Sequence, residues 1–131
     1  MNHNMMTILL IDDDRVTMEP LYDLLAYDFD VHWIQDAVAV DQEVKTKKYD
    51  AIILDIMMPP PNDWDPEDKT NSDDGMSTGK ILFKRIRSFA PNIPVLIYSA
   101  RDCDFLDEHS TYLSKPDFAA TIIDTIKELI K

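Results

Sequence analysis

Scarcity narrows this chain first. Cys103 is the only cysteine, so no intrachain disulfide can form, and the thiol content gives no reason to expect an oxidising compartment. No apolar run approaches the roughly 20 residues that a membrane-spanning helix needs. The opening residues, Met1-Asn-His-Asn-Met-Met6, lack a basic start. The apolar run after them meets three aspartates before it could serve as the core of a signal peptide. Basic residues are few, 13 Lys and Arg against 25 Asp and Glu, for a net charge of −12. That charge repels nucleic acid and anionic lipid, so no direct nucleic-acid or membrane role is expected. With no internal repeat and no Gly/Ser linker, residues 1–131 are expected to form a single domain of a soluble, cytoplasmic protein.

What is present is a set of short apolar runs, each ending in a chemically useful side chain. Tyr49-Asp-Ala-Ile-Ile-Leu-Asp55 closes on Asp55 and leads at once into Ile-Met-Met-Pro59. Ile8-Leu-Leu-Ile11 enters Asp12-Asp13-Asp14, Ile93-Pro-Val-Leu-Ile-Tyr98 enters Ser99-Ala100, and Tyr112-Leu-Ser114 enters Lys115-Pro116. A β-branched apolar run that ends in one charged residue reads as a buried strand delivering that residue to the edge of a sheet. Val31 to Ile34 reads as a further strand.

Helical spacing fills the intervals. Met18, Leu21, Tyr22 and Leu25 form one apolar stripe. Asp36 is placed to cap a helix that turns Val40 and Val44 inward and carries Lys45, Lys47 and Lys48 near its C-terminal end. Lys80 to Phe89 carries Ile81, Leu82, Arg85 and Ile86 and stops at Pro91. The last helix shows a stripe of Phe118, Ile122, Ile126 and Leu129, widened by Ile123 and Ile130. Strands alternating with helices imply right-handed crossovers. The expected architecture is α/β, a doubly wound, flavodoxin-like parallel sheet of five strands in the order 2-1-3-4-5. That order sets Asp12 and Asp13 beside Asp55.

Two segments break the pattern. Pro59 to Gly75 is too polar and too proline-broken for a regular element, and it far exceeds the roughly 2–6 residues usual for a strand-to-helix connection. It is expected to be a long loop before the third helix. Arg101 to Ser110 offers only Phe105 and Leu106 as apolar anchors, so the fourth helix is expected to be shortened to one or two turns, or absent.

Taken in order, the Ile8-to-Asp14 run, Leu54-Asp55-Ile-Met-Met-Pro59, Asp74-Gly75, Ser99-Ala100 and Tyr112-Leu-Ser-Lys115-Pro116 resemble the motif set of response-regulator receiver domains. The resemblance covers nearly the whole chain. It implies that Asp55 accepts a phosphoryl group from a histidine kinase or histidine phosphotransfer protein in a two-component system. A carboxylate is a weak nucleophile unless the charge developing on the phosphoryl oxygens is neutralised. The resemblance assigns that task to Mg²⁺, with Asp13 as direct ligand, Asp12 acting largely through water, Asp55 itself, and the backbone carbonyl of Met57. It further implies that Lys115 pairs with a phosphoryl oxygen, that the Ser99 hydroxyl donates to another, and that Tyr112 is the aromatic switch position. Pro116 would turn Lys115 inward, commonly across a cis bond in this family. The family signals by protein contact and catalyses only its own phosphorylation and dephosphorylation. The downstream partner is unknown. A loop as acidic as Pro59 to Gly75 is expected to form the output rim. It should move outward when Asp55 gains charge, unless Mg²⁺ or Lys69 compensates.

Plainer readings apply to several residues. Asp14 reads as a helix-start carboxylate rather than a third ligand, and Trp33 reads as packing. His3, His32 and His109 lack metal-ligand spacing. Asp63-x-Asp65-x-Glu67 is followed by Asp68 where a calcium loop needs glycine, and Gly75-Met-Ser-Thr-Gly79-Lys80 lacks the spacing of a phosphate loop.

A rival from another class starts from Asp12-x-Asp14-x-Val16, which also resembles the first motif of haloacid-dehalogenase-type phosphatases. There Asp12 would be the nucleophile, Asp14 the acid/base, and Ser99 and Lys115 the second and third motifs. That fold requires another strand ending in paired acids after the lysine, yet only Pro116-Asp117 and one helix remain, and Asp55 goes unexplained. A third possibility is a degenerate receiver that serves only as an interaction module. The intact set of Asp12, Asp13, Asp55, Ser99 and Lys115 speaks against it.

Overall fold

The apolar runs that end in charged or hydroxyl residues do form one sheet. A computed structural model describes residues 5–131; His3 lies outside them. Strands β1 (Thr7–Ile11), β2 (Asp30–Ile34), β3 (Ala51–Leu54), β4 (Val95–Ser99) and β5 (Ser110–Ser114) pair in parallel in the order β2-β1-β3-β4-β5, as expected. The three inner strands are mainly aliphatic and almost wholly buried because both of their faces are covered. The edge strands β2 and β5 are half-buried and correspondingly mixed in composition.

Helix α1 (Arg15–Asp28) begins at Asp14, whose carboxylate accepts from the Thr17 N–H at 3.2 Å. Helix α2 (Val40–Thr46) follows a single 3₁₀ turn capped by Asp36. Helices α3 (Pro66–Asn71), α4 (Thr78–Phe89) and α5 (Ala119–Ile130) complete the fold. One core layer joins Leu9, Ile11, Ile52 and Leu54 to α2 and α4 through Val40, Leu82 and Ile86. The other joins Ile8, Leu10 and Ile53 to α1 and α5 through Met18, Leu25, Ile122 and Ile126. No helix among the described residues is long and apolar enough to cross a membrane.

Two local expectations need correction, and a third is met in its limiting form. The segment from Pro59 to Gly75 is not structureless: it contains α3 and has its own anchor. Asp65 caps α3 by accepting from the Asp68 N–H at 2.8 Å, and Pro66 supplies a helix start that needs no N–H partner. Trp64 is 7% exposed and joins the core layer beneath α4. The Arg85 guanidinium lies 4.7 Å from its ring and grips Asp68 at 2.7 Å and Asp41 at 2.8 Å. Arg85 thus neutralises Asp68 of this segment.

Secondly, residues 100–109 carry no helix, the limiting case of the shortening expected there. Of the two anchors only Phe105 seats, its ring 5.3 Å from Phe83, while Leu106 is 46% exposed. The segment is held instead by Arg87, which pairs with Asp107 at 2.6 and 3.1 Å and donates to the carbonyls of Ala90 and Ile93. Thirdly, Phe118 is the N-cap residue of α5 and 81% exposed, so it stands outside the buried stripe of Ile122 and Ile126.

Candidate functional site

Strand register builds the site. Ile11 lies opposite Leu54, and Leu54 opposite Ile97, so the residues that follow each strand emerge together at one edge. The Asp55 N–H donates to the Ile11 carbonyl and the Asp12 N–H to the Ile34 carbonyl, both at 3.1 Å, which extends the ladders one step beyond the strands. Asp12 and Asp55 are thereby held with only 1% and 5% exposure, whereas Asp13 is exposed. Ligand atoms of all three carboxylates lie within 4.8 Å of one another.

Lys115 enters from the loop after β5. Its N–H donates to the Ser99 carbonyl at 2.9 Å, and the Lys115-Pro116 bond is cis. The ammonium donates to Asp12 Oδ2 at 2.5 Å and to Asp55 Oδ2 at 3.2 Å, with the Tyr98 ring 5.5 Å away. Burial pushes the Asp12 carboxyl up to about 6, against the hydrogen bond from Lys115 and with the help of Asp55's charge. Asp13 is raised for the same first reason. Lys115 is raised by its hydrogen bond to Asp12 and its proximity to Asp55, which together outweigh the desolvation that opposes them.

Ser99 is fully buried, and its Oγ accepts from the Arg101 N–H at 3.2 Å. The Tyr112 hydroxyl donates to the Ser99 carbonyl at 3.2 Å, so the aromatic side chain is turned inward toward the site. The Met57 N–H donates to Asp55 Oδ1 at 3.3 Å. Asp14 is spent on capping α1. His32 packs edge-on to Tyr49, and His109 lies beside Glu108; neither approaches the carboxylates.

No family model matches the chain. Response regulator MprA of Mycobacterium sp. (strain KMS) is 30% identical over 96 residues, covering 72% of this chain and 35% of that protein. The protein of that name from Mycobacterium leprae is 29% identical over 133 residues, covering 96% and 51%. The chain thus spans a third to a half of the length of these curated relatives. Among solved structures, a response regulator receiver protein from Sinorhizobium medicae has a TM-score of 0.75 at 20% identity, covering 98% of this chain and 97% of that one. The receiver domain of sensor histidine kinase PA1611 from Pseudomonas aeruginosa, which has magnesium coordinated in its active-site cleft, has a TM-score of 0.73 at 20% identity, covering 96% and 98%. The chain is similar in sequence to response regulators, and its fold is that of their receiver domains.

In this fold, several residues that shape the cleft escaped the sequence reading. Trp33 does pack, with its ring stacked 5.3 Å from Tyr22, but its indole N–H also donates to the Asp12 carbonyl at 2.9 Å. Gly79 lets the start of α4 press against the backbone of Asp55 and Ile56, and its N–H donates to the Ile56 carbonyl at 2.7 Å. The Thr78 hydroxyl donates to the Met58 carbonyl at 2.5 Å. Gly75, at φ +91°, returns the insertion to Met58, whose N–H donates to the Gly75 carbonyl at 3.0 Å. A signal was available for the glycines: the chain has only two, and both fall between Asp55 and Lys80.

Proposed function

We propose that this chain is a phosphoacceptor receiver, with Asp55 as the residue that takes the phosphoryl group. The observation that carries this reading is the isolation of the Asp55 carboxylate. It is 5% exposed at the sheet edge, one ammonium lies 3.2 Å away, and two further carboxylates stand close enough to share a cation with it. An Asp55 oxygen forms the new P–O bond as the bond from phosphorus to a donor's imidazole nitrogen breaks. The imidazole leaves with the electron pair and takes up a proton. Lys115 then exchanges its contact with Asp55 for one with a phosphoryl oxygen, and the Ser99 hydroxyl donates to another.

Three carboxylates and a nearby backbone carbonyl are hard oxygen donors, and they suit Mg²⁺. Asp13, Asp55 and the Met57 carbonyl would hold the ion, with Asp12 acting through water. When bound, it would neutralise charge on the transferring group. Asp12 is kept in place by two donors, the Lys115 ammonium and the Asp14 N–H at 2.9 Å. The phosphatase alternative needs Asp14 as acid/base, but that carboxylate is turned away to cap α1. Donors would be a histidine kinase or histidine phosphotransfer protein. They would approach across Val16 and Phe118, which lie three residues after Asp13 and Lys115 in sequence and are 87% and 81% exposed. The chain would act on others by binding them and catalyse only its own modification, in the cytoplasm.

Intact-mass measurement after exposure to acetyl phosphate tests this directly. The wild type should gain one phosphoryl adduct only when Mg²⁺ is present, and Asp55→Asn should gain none. An adduct that persists in the variant, or that maps to Asp12, overturns the assignment.

A further inference from the structure

The insertion between β3 and α4 is ordered, carries its own helix and buries Trp64, yet closing a strand-to-helix crossover requires nothing of this length. Its effect on the surface is to wall a trough. Asp68 and Asn71 of the insertion face Ser77, Lys80, Lys84 and Ser88 along one side of α4, and the space between them is about 530 Å³. At the Lys80 end the trough continues past Arg101 to the helix-free segment at Asp104 and Phe105. The face of α4 that a fourth helix would otherwise crowd is therefore open between two ordered walls.

The charge of this trough runs against that of the chain. The molecule carries −12, but the main cleft sets Lys80, Lys84 and Arg85 against the single carboxylate of Asp68. Arg85 and Asp68 satisfy one another at 2.7 Å. Lys80 reaches only the 81% exposed Asp104, at 3.3 Å, and Lys84 pairs with no carboxylate among the described residues. Two cations one helical turn apart, about 6 Å between their Cβ atoms, are thus left with capacity for a partner. They lie along a line and do not converge on a point, which suits spaced carboxylates better than a single small anion. An extended anionic lipid surface would face the whole molecule's charge of −12, whereas a single segment lying in the trough meets mainly its local cations.

We propose that this trough is a docking site for an acidic segment of a partner protein, which sets two carboxylates against Lys80 and Lys84. Ser77 and Asn71 supply neutral donors along the same line, and Ile81 forms the floor. The site is also tied to the phosphoacceptor loop. The Gly79 N–H and the Thr78 hydroxyl bind the carbonyls of Ile56 and Met58, so a shift after Asp55 reaches the head of the trough through direct hydrogen bonds. This goes beyond the phosphoacceptor reading, and its test needs no phosphorylation, so either can fail without the other.

The test uses the unphosphorylated chain and a fluorescein-labelled peptide, (Glu-Ala-Ala-Glu-Ala)₃, with its Gln counterpart as control. Saturable amide shifts in ¹⁵N spectra are expected at residues 77–88, together with binding that weakens with added salt. Lys80→Glu with Lys84→Glu should weaken it about tenfold or more, whereas Lys45→Glu with Lys48→Glu should not. The proposal is overturned by an absence of saturable shifts at 77–88, by equal binding of the Gln peptide, or by equal sensitivity to the two charge reversals.

Discussion

The indole of Trp33, at the end of β2, donates to the backbone carbonyl of Asp12 at 2.9 Å. The bond links an edge strand to the first carboxylate of the cleft. Its geometry is reinforced because the same ring is stacked on Tyr22 of α1. The carbonyl of Asp12 and the Asp13 peptide that follows therefore have a fixed orientation before any ion or phosphoryl group arrives, the pre-organisation that a metal site needs from the groups behind its ligands.

Trp33→Phe should keep the stacking and lose the donor. Magnesium affinity, measured by isothermal titration calorimetry, is expected to fall several-fold, roughly the 1 kcal/mol that one hydrogen bond contributes. The melting temperature in EDTA should change little. Unaltered magnesium affinity would show that the bond does not position the site.

Gly79 sits where a side chain has no room. A Cβ there would collide with the Asp55 carbonyl oxygen and lie 2.5 Å from Ile56 Cα, and both obstacles are backbone. Gly79→Ala is therefore expected to cost about 3 kcal/mol of stability by urea unfolding, at the upper end of ordinary overpacking. Phosphorylation of Asp55 should slow as well, since relief requires moving the strand that presents it. A loss below about 0.5 kcal/mol would mean that α4 can slide without penalty.

The acidic cleft makes a pH prediction. Desolvation raises Asp12 from an ordinary 3.8 to about 6. The folded state thus holds this proton more tightly than the unfolded chain. Its contribution to stability is complete below about pH 4 and is lost as pH rises through 6. Without metal, stability should fall across that window by an amount on the order of 3 kcal/mol, and Asp12→Asn should flatten the curve. Asp107 does not confound this, because the Arg87 hydrogen bonds hold it at about 2 and its contribution is lost only at lower pH. Magnesium at pH 7 should restore stability by mass action. Thermal melts in EDTA and in Mg²⁺ from pH 4 to 7 decide the matter, and identical curves for wild type and Asp12→Asn would sink it.

The residues alone determined the parallel sheet, its strand order, and the meeting of Asp12, Asp13, Asp55 and Lys115 at one edge. These follow from local pattern: an aliphatic run ending in one polar residue specifies both a buried strand and what that strand delivers, and the crossover rule orders the strands. Asp14 and Asp36 were legible as caps for the same reason, since a cap acts within its own first turn. Tertiary structure alone decided the rest. Trp64 and Arg85 lie 21 residues apart in sequence, and only their stacking, with Asp41 and Asp68 on the guanidinium, turns an acidic, proline-broken stretch into an ordered wall. Phe118 fits a helical stripe by spacing but falls on the N-cap, where the chain has not yet turned toward the core. Trp33's bond to Asp12 and the tight fit at Gly79 are contacts across elements. Hydrophobic period records which face of an element is buried, but not which backbone atom a neighbouring element will bring against it.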